Sequence, residues 1–172
     1  MKDHLMISHA VNMVERGMYD KIVWVRNNIE VKDSKPLGFL PGGPDSKLLP
    51  FAGPLVDHLG GEVVLDEWLA KEKLELQHLG FIRGRDIKKA IIICSEAENM
   101  TKEHIQLLLG RVGEGSTLWI NGDMRQIDHH VFKANSGIAS MVERLAGRPE
   151  FGYVFLPITE RSRTAALADL LD

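Results

Sequence analysis

The sequence predicts an open α/β fold, a parallel sheet with helices on both faces, and three observations carry that expectation. Short, strongly β-prone runs recur at 21–26, 90–94, 117–121 and 153–156. Amphipathic helical segments separate the later ones, and strands alternating with helices imply parallel pairing through right-handed crossovers. The central runs, above all Ala90–Cys94 (Ala-Ile-Ile-Ile-Cys), are apolar throughout instead of alternating. That pattern belongs to strands covered on both faces.

Each element follows from local chemistry. From His4 to Arg16, Met6, Ile7, Ala10, Val11, Met13 and Val14 recur at helical spacing, and Gly17 supplies a stop. Lys21–Arg26 is the first strand. Asn27 to Asp45 is expected as loop, because Pro36, Pro41, Gly42, Gly43 and Pro44 forbid regular structure. Two modest helices are predicted at Lys47–Leu59, disturbed by Pro50 and Pro54, and at Glu62–Lys73. Leu74–Ile82 alternates apolar and polar residues as a strand does. After strand Ala90–Cys94, a helix at Thr101–Gly110 puts Ile105, Leu108, Leu109 and Val112 together, with Thr101 as its cap. Strand Thr117–Asn121 precedes a helix at Ser136–Ala146, whose Ile138, Met141, Val142 and Leu145 share a face. A strand at Tyr153–Leu156 and a short helix from about Arg161 to Leu171 complete the pattern. The simplest organisation is one domain over 1–172 with a loop-rich insertion at about 27–88.

Composition narrows the function classes. A formal net charge of −3 gives no global attraction for nucleic acid, so any such site must be a local patch. Aromatic residues are too sparse for a base-stacking platform. Cys94 is the single cysteine, which excludes an internal disulfide and suits a reducing cytoplasmic compartment. No run approaches the ~20 apolar residues of a membrane span, and no secretory leader is evident. A hydrolase nucleophile elbow of the Gly-x-Ser-x-Gly kind is absent from the sequence.

Chemistry in an open parallel sheet collects beyond the carboxyl ends of its strands. Here two strands end in Cys94-Ser95-Glu96-Ala97-Glu98-Asn99 and in Asn121-Gly122-Asp123-Met124-Arg125-Gln126. His129 and His130 follow Asp128, yet adjacent side chains diverge and no further His or Cys has ligand spacing, so no metal site is expected there. Cys94, in a buried run, is expected to be inert, and Trp24 and Trp119 to be core residues.

A co-linear series of motifs resembles the PhoH-like ATPases. It runs through Val25-Arg26, Leu37-Gly38-Phe39-Leu40-Pro41-Gly42, Pro54-Leu55-x-Asp57 and Ile82-Arg83-Gly84-Arg85. It continues through Ile91-Ile92-Ile93-x-x-Glu96-Ala97-x-Asn99-x-Thr101, Arg111-Val112-Gly113, Gly122-Asp123-x-x-Gln126-Ile127-Asp128 and Glu160-Arg161-Ser162. The resemblance implies a P-loop NTPase with a RecA-like or helicase-like core, related to superfamily 1 helicases. It implies ATP and Mg²⁺ as cofactors, RNA as a partner and a hexamer-like self-assembly, with no membrane association.

Residue by residue, the resemblance assigns Glu96 to activation of water, and Asp123 and Gln126 to sensing of the terminal phosphate through metal and water. Arg161 and Arg111 become candidates for a phosphate-facing or trans-acting arginine. Arg26, Arg83 and Arg85 become candidates for contact with a nucleic-acid backbone. Met1-Lys2-Asp3 stands where the family's phosphate loop ends Gly-Lys-Thr, so its glycines, like the strand before them, are expected to precede residue 1. Lys2 is then the phosphate-binding lysine, while Asp3 replaces the hydroxyl that coordinates magnesium. Ser95 replaces the family's aspartate, a weaker magnesium ligand, and leaves Ser95 and Asp123 as a weakened metal pair. Glu98 stands in place of a glutamine, and Asn27 in place of a proline. These departures point to a degenerate or truncated nucleotide site. The alternative expectation is a non-hydrolysing remnant serving as a binding or assembly module.

Overall fold

The computed structural model describes residues 2–26, 52–123, 135–157, 162–164 and Leu167. Helix α1 (Lys2–Glu15) leads into strand β1 (Lys21–Arg26). Helices α2 (Gly53–Leu59) and α3 (Glu62–Ala70) precede strand β2 (Leu74–His78), and a 3₁₀ turn follows at Leu79–Phe81. Strand β3 (Ala90–Cys94) is followed by a 3₁₀ turn at Ala97–Asn99, and helix α4 (Lys102–Leu109) by strand β4 (Thr117–Ile120) and helix α5 (Gly137–Leu145).

The four strands form one sheet in the order β2-β1-β3-β4, and every neighbouring pair is parallel. Successive side chains of a strand point to opposite faces, and here both faces are covered. Ile22, Trp24, Leu74, Leu76, Ile91 and Ile93 pack with Ile7, Ala10 and Val14 of α1, and with Leu55, Leu65 and Trp68 of α2 and α3. Val23, Val25, Ile92 and Cys94 pack on the other face with Met100, and with Ile105 and Leu108 of α4. Burying each such Ile or Leu contributes roughly 1.5–3 kcal/mol, which makes β1 and β3 the energetic centre of the sheet.

Helix ends are set as the residues require. Gly17 adopts φ +73 and lets Met18 N–H reach back to Met13 O at 3.0 Å, closing α1. Pro54 sits in the first turn of α2, where the N–H it lacks has no intrahelical partner anyway. Thr101 and His104 cap α4 reciprocally, with His104 N–H on Thr101 Oγ1 at 3.4 Å and Thr101 N–H on His104 Nδ1 at 3.2 Å.

Two expectations change. The run Tyr153–Leu156 is not a strand; residues 151–157 are irregular, and all four of its side chains are exposed. Strand preference expresses the fit of a side chain to a pleated, half-buried surface, and without a ladder partner an apolar run stays irregular. The fourth strand is β2 instead. The two helices and the strand read within the expected insertion at 27–88 do form, and that strand joins the sheet by hydrogen bonding to β1. The expected loop at 27–45, the start of the helix expected from Lys47, and most of the final helix lie outside the described residues.

Candidate functional site at the carboxyl edge

Parallel β3 and β4 deliver their carboxyl ends side by side, with Cys94 in register with Ile120. The N-terminus of α1 abuts this edge. Lys2 Nζ donates to Gly122 O at 2.7 Å, and Asp3 Oδ1 accepts from Ser95 Oγ at 2.6 Å and from Asn121 Nδ2 at 2.6 Å. A helix N-terminus carries unpaired N–H groups and a partial positive charge, so Asp3 in the first turn is also favourably placed.

Asn121, which the sequence did not single out, organises the edge. Its N–H donates to Cys94 O at 3.1 Å, and its carbonyl accepts from Ala97 N–H at 2.9 Å. Its side-chain oxygen lies 3.3 Å from Glu96 N and 3.4 Å from Ser95 Oγ. These bonds hold Glu96 in a left-handed conformation, φ 55 and ψ 46, which costs a non-glycine residue on the order of 1 kcal/mol or more. The available signal was positional: a polar residue ending an apolar strand just before glycine. Its pairing with Asp3 had no local signature.

Glu96 projects from this turn with its side chain 56% exposed and pairs with Arg26 Nη2 at 2.9 Å. Arg26 ends β1, so three adjacent strands contribute to the edge. Behind them Glu98, only 7% exposed, accepts Asp123 N–H on Oε2 at 3.2 Å. Burial pushes the Glu98 carboxyl above the usual carboxylate range. The Asp123 N–H and Lys2 oppose that shift, and the charge of Glu96 adds to it. Gly122 is required here, because a Cβ would come within 3.0 Å of Glu98 N.

The remaining candidates separate. Lys2, Asp3, Ser95, Glu96 and Asp123 gather at one edge, joined by Arg26. Arg111 follows α4, whose eight residues span about 12 Å and return the chain to the opposite edge. There Arg111 O accepts from Ile87 N–H, just ahead of β3, so within one chain Arg111 does not join the cluster. Arg85 is hydrogen-bonded to Glu75 of β2, and Lys21 Nζ lies on the same carboxylate at 2.6 Å. Arg83 is exposed beside Gly84. Gln126 and Arg161, like His129 and His130, lie outside the described residues. Cys94 is fully buried and its thiol is pushed up to about 12, mainly by desolvation. Trp24 is core, while Trp119 is half-buried and stacks on His9 at 5.7 Å.

Among the described residues no group of three or more His, Cys, Asp or Glu side chains is placed to hold a metal, and no helix is long and apolar enough to cross a membrane. The donor set at the edge is instead one ammonium, carboxylates, a hydroxyl and a helix N-terminus. That chemistry suits phosphate oxygens with a hard cation completed by the phosphates themselves.

Comparison with known proteins agrees with the geometry. The family model described as "PhoH-like protein" matches residues 2–172. Protein PhoH2 of Bacillus subtilis is 42% identical over 166 residues, covering 90% of this chain and 37% of that protein. Protein PhoH2 of Mycolicibacterium smegmatis is 35% identical over 90% of this chain and 36% of its own length. A PhoH-like protein of Bacillus subtilis is 32% identical over 99% of this chain and 54% of its own length. The chain thus spans about a third to a half of these relatives. With a family model covering nearly its whole length and a parallel sheet carrying the expected edge, this chain belongs to the PhoH-like protein family, a family of P-loop NTPases.

Proposed function

We propose that the chain is the ATP-binding unit of a PhoH-like ATPase, with the triphosphate lying between the N-terminus of α1 and the carboxyl ends of β3 and β4. One observation supports this above others: Lys2 and Asp3 of α1 meet Ser95, Asn121 and Gly122 at that junction, though 92 positions or more separate the two groups. Lys2 leaves the Gly122 carbonyl to bind phosphate oxygens. Asp3, Ser95 and Asp123 are the groups that would hold Mg²⁺, which neutralises charge on the terminal phosphates when bound. Glu96 accepts the proton of the attacking water, while Gln126 orients that water and reports the state of the γ-phosphate. Arg161 stabilises transition-state charge from a neighbouring copy in a hexamer-like ring.

RNA is the proposed polymer, in a cytoplasmic setting, with Arg26, Arg83 and Arg85 as the candidates for its backbone; here Arg26 is paired with Glu96 and Arg85 with Glu75. The pairing of Glu96 with Arg26 favours a second reading, in which the chain binds nucleotide or assembles without hydrolysing. Fluorescent ATP titration and a phosphate-release assay separate the two. The first reading gives weak, Mg²⁺-dependent binding with turnover that is very slow, far below the usual enzyme range, and abolished by Glu96→Gln while binding persists; the second gives binding or assembly with no turnover that Glu96→Gln changes. Turnover of ~1 s⁻¹ would remove both the degenerate site and the non-hydrolysing module. No nucleotide binding under any condition would remove the whole proposal.

A further inference from the structure

Asp3 and Ser95 are each unusual for a P-loop NTPase, but they are unusual in complementary ways. Such enzymes hold magnesium with a Ser or Thr hydroxyl on the phosphate loop and an Asp at the end of the neighbouring strand. Here the helix end carries the carboxylate and the strand end carries the hydroxyl, and the two are hydrogen-bonded at 2.6 Å. We infer that the chain keeps its magnesium site with the two ligands exchanged, Asp3 supplying the carboxylate and Ser95 the hydroxyl. The inference rests on the nucleotide-binding reading and concerns which residues hold the metal.

Three observations support it. First, the total charge and the number of hard oxygens are the same after exchange, and Mg²⁺ needs only one or two protein ligands when phosphates and water complete its octahedron. Second, the site is braced as a ligand pair should be: Asn121 Nδ2 donates to the same Asp3 oxygen at 2.6 Å, orienting the carboxylate. Both bonds fall on Oδ1, and Oδ2 takes neither. Third, Lys2 is adjacent and directed to the same edge, with Nζ on Gly122 O at 2.7 Å, so a phosphate-seeking cation accompanies the carboxylate. A lone carboxylate would repel a triphosphate. One balanced by Lys2, the helix N-terminus and a divalent cation does not.

The exchange predicts strong non-additivity, because carboxylate and hydroxyl are interchangeable only as a pair. Mn²⁺, as a paramagnetic substitute for Mg²⁺, is titrated into the purified chain with inorganic phosphate, which supplies phosphate oxygens without nucleotide, and free Mn²⁺ is followed by electron paramagnetic resonance against a phosphate-only control. Thermal midpoints in EDTA and in Mg²⁺ give a readout independent of activity. Asp3→Asn retains both hydrogen bonds while losing the charge, and should weaken Mn²⁺ by roughly tenfold or more. Ser95→Asp sets two carboxylates against each other, so its midpoint should fall in EDTA and recover in Mg²⁺. The double variant Asp3→Thr with Ser95→Asp should regain the affinity and midpoint of the original chain. Absence of Mn²⁺ binding by the original chain, unchanged binding in Asp3→Asn, or a double variant no better than Asp3→Thr alone would each overturn the exchange. A fluorescent ATP titration run alongside separates the two ideas. Metal behaviour as expected without nucleotide binding refutes the proposed function alone, whereas nucleotide binding indifferent to Asp3 refutes the exchange alone.

Discussion

At the residue scale the informative side chain is Glu98, a buried acid in a position where the resemblance puts a glutamine. Its Oε2 receives the Asp123 N–H, a bond that an amide oxygen would accept equally well. Burial holds the carboxyl above the usual range, so it binds its proton more tightly folded than unfolded. The sign follows: the group weakens the fold as pH rises through the ordinary carboxylate range and has no effect well below it. Glu98→Gln should therefore raise the thermal midpoint at neutral pH, with the difference shrinking to nothing below about pH 4. Melting curves across pH check this; an equal gain at every pH would show that packing, not charge, is responsible. Glu96 is the contrasting case, an exposed acid whose ion pair with Arg26 contributes about 1 kcal/mol at most. Its interest lies in its left-handed backbone, held by Asn121.

At the scale of elements, β2 is tied to β1 by more than its ladder. Glu75 stands opposite Val23 and takes both Lys21 and Arg85, so one carboxylate joins the start of β1, β2 and the turn after it. Burial alone would raise its pKa; the two cations and their hydrogen bonds override burial and bring it down to about 2. For a depressed acid the stabilisation is present above the unfolded value near 4.5 and is lost as pH falls from there toward 2. A shift of that size corresponds to about 3 kcal/mol before allowance for partial solvent exposure. Glu75→Gln should lower stability by roughly 1–3 kcal/mol at pH 7 and flatten the acid limb of unfolding between those two values. Urea unfolding at pH 7 and at pH 3 tests this; equal losses at both would leave the ion pairs irrelevant. The α4–α5 packing uses a different device. Gly137 lies so close to α4 that an added Cβ would sit 2.6 Å from Ile105 Cγ1 and collide with the Thr101 carbonyl.

At the scale of the whole molecule, one feature runs against expectation. The run expected as a strand instead leaves Tyr153, Val154, Phe155 and Leu156 54–80% exposed without a break. Among the described residues β4 also has a strand neighbour on one side only. A contiguous apolar run and an open sheet edge both promote association. The chain by itself should therefore self-associate with rising concentration, and Val154→Lys with Phe155→Lys should shift it toward monomer without lowering its thermal midpoint. Sedimentation velocity at several micromolar concentrations decides; a monomer unaffected by the substitutions would show that this run drives no assembly.

Local sequence determined the core strands and helices closely. Lys21–Arg26 and Ala90–Cys94 were legible to the residue, because runs of Ile, Val and Trp between polar ends admit few other structures. Thr101 and Gly17 announced the helix ends that they form. The strand-end rule placed Glu96 and Asp123 at the carboxyl edge, and the family resemblance added the roles proposed for them. Only the tertiary structure decided which apolar run becomes the fourth strand. Leu74–His78 and Tyr153–Leu156 have comparable strand character, and hydrogen bonding to β1 chose the first. Only the tertiary structure likewise brought Asp3 to Ser95 and Asn121. Read along the chain, Asp3 and Ser95 are two separate losses of metal-binding character. Across the 2.6 Å between them they are a hydrogen-bonded carboxylate and hydroxyl, because side-chain chemistry depends on the partner in space and not on the neighbour in sequence.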